Sequence, residues 1–398
     1  FENGGLVMYR KIAEFLENWK ESEHRKPLIL QGARQVGKTY SILEFGRTNY
    51  ENVAYFNFET NPKLNETFEE NISPDYLIPI LSHIAGQTII REKTLIVFDE
   101  VQLCERALTS LKYFCEDAPD YHIIVAGSLL GVAVNRAKFS FPVGKVDMKT
   151  LYPMDMEEFM LAMGEDSLVE KIRECFETDS PMPSALHDAA MQLYRQYLVV
   201  GGMPECVMLF KETRDYILVR HTQDTILASY LNDMSKYNNL NEIKKTRLAY
   251  DNITVQLSKR NTRFQYKLIK KGGRASEFEN AIEWLCLSGI VSQVYKVEQI
   301  KKPLENYRDI DAFKIYVSDL GLLCAKKDLA ANDILYMVEE LNDFKGGMAE
   351  NYVNVQLSIN GYNTYYWESA RGAEVDFIIQ RDGRLIPIEV KSADNTRA

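Results

Sequence analysis

The chain has 398 residues, 46% of them hydrophobic, and its 57 acidic against 47 basic residues give a formal net charge of −10. That length and apolar content can bury more than one core, so two or three domains are expected, and the acidic balance excludes a protein coated in basic residues for non-specific nucleic-acid binding while leaving local patches open. Six scattered cysteines with no CxxC pair, no apolar run near the ~18 residues of a membrane span and no signal-peptide pattern at the start predict a soluble, cytoplasmic protein with no membrane contact.

Tyr9 to Trp19 reads as an amphipathic helix with Ile12, Phe15, Leu16 and Trp19 on one face. The apolar run Pro27-Leu28-Ile29-Leu30 then leads into Gly32-Ala33-Arg34-Gln35-Val36-Gly37-Lys38-Thr39, an unbroken phosphate-binding loop, with Thr39 to Arg47 helical behind it. Glycines let such a loop wrap so that successive backbone N–H groups point inward at phosphate oxygens, and the following helix presents its positive end to the anion. Lys38 is expected to neutralise the phosphates and Thr39 Oγ to hold Mg²⁺, so the sequence predicts binding of a nucleoside triphosphate, ATP, with Mg²⁺.

Val53 to Phe58 reads as a further strand, followed by Glu59. Thr94-Leu95-Ile96-Val97-Phe98 is apolar without alternation, which suits a strand buried on both faces of a parallel sheet, and it ends in Asp99-Glu100. Asp99 is placed to reach Mg²⁺ through its water shell and Glu100 to accept a proton from an attacking water. A third strand, His122 to Ala126, is expected beside the Asp99 strand and runs into Gly127-Ser128, which makes Ser128 the candidate sensor of the terminal phosphate; a Gly-Ser turn without a role is the alternative. Alternating strands and helices to about residue 150 predict a doubly wound α/β domain. Phe141 to Lys145 and Leu151-Tyr152-Pro153-Met154 mark its exit.

Beyond it helical periodicity takes over from Met156, lapses across a polar stretch from Glu165 to Ser184, and returns over Ala189–Val199, Pro204–Lys211 and Tyr216–Asn232. Residues 259–274 then carry Lys259, Arg260, Arg263, Lys267, Lys270, Lys271 and Arg274 without one acid, with Phe264 and Tyr266 interleaved. A helix from Ser276, with that serine as its cap, and an alternating strand from Ile290 to Val297 follow. Helices followed by a strand hairpin are the layout of a winged helix whose basic residues meet DNA phosphates; the alternative is a solvated basic face.

Near the carboxyl end, Ala373 to Ile379 and Leu385 to Lys391 read as a hairpin around Arg381-Asp382-Gly383-Arg384. Period-two alternation would put Glu389 and Lys391 on one face with Asp376 opposite. Two carboxylates there could hold Mg²⁺ and the lysine could orient water for phosphodiester hydrolysis, with Glu350, on a helix opening at Gly346, completing the site. A hairpin with solvated charges is the alternative.

These features together resemble the prokaryotic ATPases of the AAA+ superfamily that join an amino-terminal P-loop domain to a carboxyl-terminal PD-(D/E)xK nuclease-like domain. The resemblance rests on residues 32–39, Phe98-Asp99-Glu100-Val101-Gln102, Ala126-Gly127-Ser128-Leu129-Leu130-Gly131, Leu151-Tyr152-Pro153-Met154 with Glu158-Phe159, Gly201-Gly202-Met203-Pro204-Glu205, and Glu374-Val375-Asp376-Phe377 with Ile388-Glu389-Val390-Lys391-Ser392. It implies a P-loop ATPase domain over 1–150, a helical linker over 151–235, a winged-helix-like segment over 236–300 and a nuclease-like α/β domain over 301–398, whose last elements are expected to be missing because the motif lies so close to Ala398. No arginine finger of the kind oligomeric members use has an obvious position; Arg136 and Lys145 are candidates. The expected function is a Mg²⁺-dependent ATPase, able to form homo-oligomers, coupled to DNA binding or processing. A nucleotide-dependent switch that binds a protein partner through an inactive nuclease-like domain is the alternative.

Overall fold

Thr94–Asp99 and His122–Gly127 are buried at every position, which a strand can be only where both faces of its sheet are covered. They are the centre of a five-stranded sheet in the computed structural model, which describes residues 8–128, 130, 141–236, 240–257, 263–369 and 371–392. Its strands are β1 (Leu28–Gln31), β2 (Asn52–Asn57), β3 (Thr94–Asp99), β4 (His122–Gly127) and β5 (Asp147–Thr150), in the order β2-β3-β4-β1-β5 and all parallel. Parallel pairing demands crossovers, and helices Lys38–Asn49, Pro74–Ala85 and Glu105–Asp117 supply them. One face packs Ile29, Phe56, Ile96, Phe98 and Val125 against Phe68, Leu77, Leu81, Leu111 and Phe114. β4 sits between β3 and β1, with Gly127 level with Gln31. The carboxyl ends of these three strands therefore meet at one edge, where ligands of open α/β sheets bind.

The chain divides into two compact units, Phe1–Tyr152 and Pro153–Ala398. In the second, helices Ser184–Val200, Pro204–Thr213, Tyr216–Lys236, Leu240–Leu257 and Ala275–Leu287 precede a mixed sheet of β6 (Val291–Val297), β7 (Arg308–Val317), β8 (Tyr365–Glu368), β9 (Glu374–Arg381) and β10 (Arg384–Ile388). Its order is β10-β9-β8-β6-β7, with β6 antiparallel to β7 and parallel to β8. The strand read from sequence as a wing, β6, thus lies inside the same sheet as the carboxyl-terminal hairpin, and the 300/301 boundary falls between two strands that pair along their length.

Several expectations need correction. The polar stretch 165–184 contains a helix, Asp166–Glu177, which buries only Leu168, Val169 and Cys175 and so has a thin apolar signal. β5 reads Asp-Met-Lys-Thr and is a half-exposed edge strand with no apolar run to betray it. Ser276 is not a cap: the helix starts at Ala275 behind Arg274, with no side-chain cap bond. Gly346 and Gly347 lie inside helix Asn342–Ile359 rather than at its start. A Cβ on Gly347 would come within 2.1 Å of the Leu257 carbonyl oxygen, so close helix packing requires that glycine.

Candidate functional site

The phosphate-loop residues leave β1 through backbone that side chains disfavour. Gly32 has φ +148° and a Cβ there would meet the Leu151 carbonyl oxygen at 2.1 Å; Gly37, ahead of helix Lys38–Asn49, has φ +90°. The loop is braced from outside by Arg10, which donates to the carbonyls of Val36 (3.1 Å) and Tyr152 (2.8 Å) while only 7% exposed. Lys38, equally buried, donates to the carbonyls of Gly32 (2.9 Å) and Ala33 (2.8 Å), so its ammonium lies over the loop itself.

The loop and the β3 carboxylate meet directly. Thr39 Oγ1 donates to Asp99 Oδ2 at 2.9 Å. The same oxygen accepts from the Tyr55 hydroxyl at 2.7 Å, and Asn57 Nδ2 donates to that hydroxyl at 3.2 Å. Burial, reinforced by the Asp99 charge, pushes the Tyr55 phenol up to about 12, so it stays a donor at neutral pH. Asp99 is 5% exposed and its other oxygen accepts from Glu100 N at 3.0 Å. Glu100 itself sits in left-handed backbone, φ +51°, and burial raises its pKa, with the Asp99 charge adding to the rise and the Gln102 amide, Lys38 and Arg34 opposing it. Gln102 Nε2 donates to Glu100 Oε2. Ser128 is buried at the end of β4. A hydroxyl, a carboxylate and an ammonium thus converge at the strand edge, a donor set that fits a phosphate and a hard divalent cation.

Sequence reasoning missed Arg10, Tyr55, Asn57 and Gln102. Tyr55 becomes a neighbour of Asp99 only through the β2–β3 pairing, in which Asn57 lies opposite Asp99. Lys145 pairs with Glu116 at 2.8 Å. Arg136 lies outside the described residues.

In the second unit, Glu350 and Asp376 are drawn together around a residue the sequence did not single out. Lys314 on β7, 3% exposed, puts its Nζ 3.3 Å from Glu350 Oε2 and 3.9 Å from Asp376 Oδ1, over the ring of Tyr366 at 5.1 Å. Glu350 Oε2 also accepts from the Tyr316 hydroxyl at 2.9 Å, and Asp376 Oδ2 accepts from Val390 N at 2.8 Å. Glu374 is pushed up by burial, with Lys314 opposing and Asp376 adding to the rise. Just beyond the end of β10 at Ile388, Glu389 pairs with Lys391 at 2.5 Å, both exposed, and Lys391 also feels the charges of Asp376 and Glu374. Among the described residues no three His, Cys, Asp or Glu side chains gather in a group that could hold a metal ion. Lys314 Nζ, within 4 Å of both inward carboxylates, balances their charge in this arrangement.

Of the basic stretch, Arg263, Lys267, Lys270, Lys271 and Arg274 are exposed, and Lys270 pairs with Glu277 at 3.0 Å; Lys259 and Arg260 lie outside the described residues. The interleaved aromatics pack on one another and on Phe313. Phe264 is 7% exposed and stacks on Phe313 at 5.5 Å, with Tyr266 edge-on to it at 5.3 Å.

Residues 24–160 match the family model described as an AAA domain. These residues form a domain of the AAA type, with the phosphate loop 32–39 and the β3 carboxylates inside it. Residues 191–333 and 345–398 match two domains of unknown function, DUF8612 and DUF4143. No curated protein matches the chain. Among solved structures, the Walker-type ATPase PABY2304 of Pyrococcus abyssi is similar at 13% identity, covering 81% of this chain and 96% of its own, with a TM-score of 0.50. The Aeropyrum pernix ORC2 protein matches at 12% identity over 90% of this chain and 97% of its own, at a TM-score of 0.39. At such identities the likeness to the Pyrococcus ATPase is one of fold. No described helix of the chain is long and apolar enough to cross a membrane.

Proposed function

We propose that this AAA+ ATPase hydrolyses ATP with Mg²⁺ at the edge formed by residues 32–39, Asp99 and Glu100. The single observation that supports this most is the 2.9 Å contact from Thr39 Oγ1 to Asp99 Oδ2, which places the two expected cation-holding groups on one point. The loop N–H groups of Gly32 to Lys38 would cradle the phosphates, Lys38 would turn from the Gly32 and Ala33 carbonyls to their oxygens, and Thr39 and Asp99 would hold the cation. The bound cation would draw charge from the terminal phosphate. Glu100 takes the proton of the attacking water, and Ser128, at the end of β4, contacts the transferred phosphate. Hydrolysis by purified protein, with a Glu100→Gln control, tests this reading: Mg²⁺-dependent turnover abolished in the control supports it, and turnover untouched by the substitution overturns the role of Glu100.

For the carboxyl half, Lys314 between Glu350 and Asp376 favours a nuclease-like domain that binds without cutting. The ATPase is then a nucleotide-dependent machine whose second half engages a partner, with exposed Arg263, Lys267, Lys270, Lys271 and Arg274 as the surface for DNA and a protein as the alternative. Adding duplex or single-stranded DNA to the hydrolysis assay separates these. Stimulation by DNA that weakens when Lys267, Lys271 and Arg274 become alanine supports the DNA arm. Indifference to DNA moves the search to protein partners, and metal-dependent cutting lost in Asp376→Asn would restore the nuclease.

A further inference from the structure

Gln102 lies in the three-residue helical turn Val101–Leu103 directly behind the β3 carboxylates. Its amide is clamped between two neighbours. Nε2 donates to Glu100 Oε2, and Oε1 is buried without a hydrogen-bond partner against the end of β4. The fit there is tight enough that a Cβ on Gly127 would come within 2.1 Å of Gln102 Oε1. Glu100 meanwhile adopts a left-handed backbone (φ +51°, ψ +38°), a conformation that costs an L residue about 1 kcal/mol and persists only where the surroundings hold it. A carboxylate with a free rotor would not need that strain. One whose outer oxygen is tied leaves a single oxygen, in a fixed direction, to receive a proton.

We propose that Gln102 is the positioning residue for Glu100, and that Gly127 is glycine so that the Gln102 amide can fit. This inference rests on the reading of Glu100 as the group that accepts the water's proton. Gln102 touches neither phosphate nor cation; its amide N–H ties Oε2, and Oε1 of Glu100 is left to face the water. The amide orientation follows from charge, since a carboxylate needs a donor and would repel the amide oxygen. Gly127, bare of a side chain, leaves the Gln102 amide its berth between β3 and β4. Losing the tie lets Glu100 swing, and misplacing a reacting group by about 1 Å costs on the order of 10²-fold in rate.

The test is a double-mutant cycle read as kcat against nucleotide affinity. Gln102→Met keeps the side-chain length without the donor; Gly127→Ala displaces the amide by crowding. Each is expected to lower kcat about 10- to 100-fold while the Kd for a non-hydrolysable ATP analogue stays within about twofold. In the Glu100→Gln background neither should cost anything further, because Gln102 acts only through Glu100. Losses that multiply across the cycle, a kcat equal to or above wild type in Gln102→Met, or loss of analogue binding in both variants would each overturn the proposal. Should Gln102→Met unfold, Gln102→Leu, apolar and lacking the donor, must show the same kcat-only loss. Should Glu100→Gln itself turn over at the wild-type rate while Gln102→Met is slowed, the general-base reading fails, and Gln102's action through Glu100 fails with it. A slowed Glu100→Gln beside a wild-type Gln102→Met sinks the positioning role alone.

Discussion

Lys314 Nζ stands 3.3 Å from Glu350 Oε2, with the lysine side chain 4% and the glutamate 15% exposed. A buried ion pair is weak grounds for stability as a whole, but breaking one partner strands the other charge, a loss of about 3–5 kcal/mol. Asp376, 3.9 Å from the same ammonium, would be stranded too. Lys314→Met is therefore expected to unfold several degrees earlier than wild type.

A divalent cation discriminates between the two ways of neutralising this cluster. With Lys314 in place, millimolar Mn²⁺ should leave the melting temperature unchanged. In Lys314→Met it should recover part of the loss, by mass action on a site the lysine had filled. Stabilisation of the wild-type protein by Mn²⁺, removed by Asp376→Asn, would show that the ammonium gives way to metal after all. Calorimetric melts with and without MnCl₂ decide it, each repeated with EDTA.

At the nucleotide edge, Glu100→Gln is expected to keep ATP and lose hydrolysis by about 10² to 10⁴-fold, the usual worth of a positioned base. Arg10→Ala should do the reverse. It removes the donor to the Val36 and Tyr152 carbonyls, loosening the loop's inward N–H groups, so KM for ATP rises about tenfold with kcat little changed. Steady-state kinetics on the two variants side by side give the split; a kcat-only effect from Arg10→Ala would count against its bracing role.

Much of this site is legible in the sequence because spacing alone dictates it. A loop of the form GxxxxGKT after an apolar run has few other uses, and an all-apolar strand ending in Asp99-Glu100 announces a covered parallel sheet. What escapes is whatever depends on which strands become neighbours. Tyr55 alternates in β2 like any half-exposed aromatic until pairing with β3 brings its hydroxyl to Asp99. Lys314 sits in the stretch of β7 buried at every position from Ala312 to Val317, and only the fold of helix Asn342–Ile359 over the sheet shows that its charge is spent on Glu350. In the carboxyl hairpin, β10 includes Pro387 and stops at Ile388, and the strand-like spacing does not show that Glu389 and Lys391 pair with each other just beyond it. The sequence also does not show that Phe264 and Tyr266, interleaved among basic residues, pack against Phe313.

The glycine pair Gly201-Gly202 also has a reason that no motif supplies. Asp319 caps helix Leu320–Lys326 by accepting from Leu322 N at 2.8 Å, and its second oxygen accepts from Gly202 N at 2.6 Å. A Cβ on Gly201 would come within 2.3 Å of Asp319 Oδ1, and one on Gly202 within 2.0 Å of the Met154 carbonyl oxygen. Two opposing effects act on this carboxyl. Burial raises its pKa, while backbone N–H groups from Leu322, Gly202, Gly321 and Met203 favour the ion; burial wins and leaves it at about 6 against an ordinary 3.8.

A carboxyl whose folded pKa lies above its unfolded one binds its proton more tightly when folded. Its contribution to stability is therefore fully present below about pH 4 and is lost as the pH rises through about 6, an effect on the order of 3 kcal/mol for a shift of this size. Asp319→Asn cannot titrate. The stability of wild type relative to Asp319→Asn should accordingly fall between pH 4 and pH 6.5 and stay level above it. Urea unfolding of both proteins at half-unit steps across that window measures the difference directly, with every other titrating group cancelling between them. A gap that widens towards wild type as the pH rises would mean that the four backbone donors outweigh burial, and that Asp319 holds the Gly201-Gly202 turn as an ion throughout.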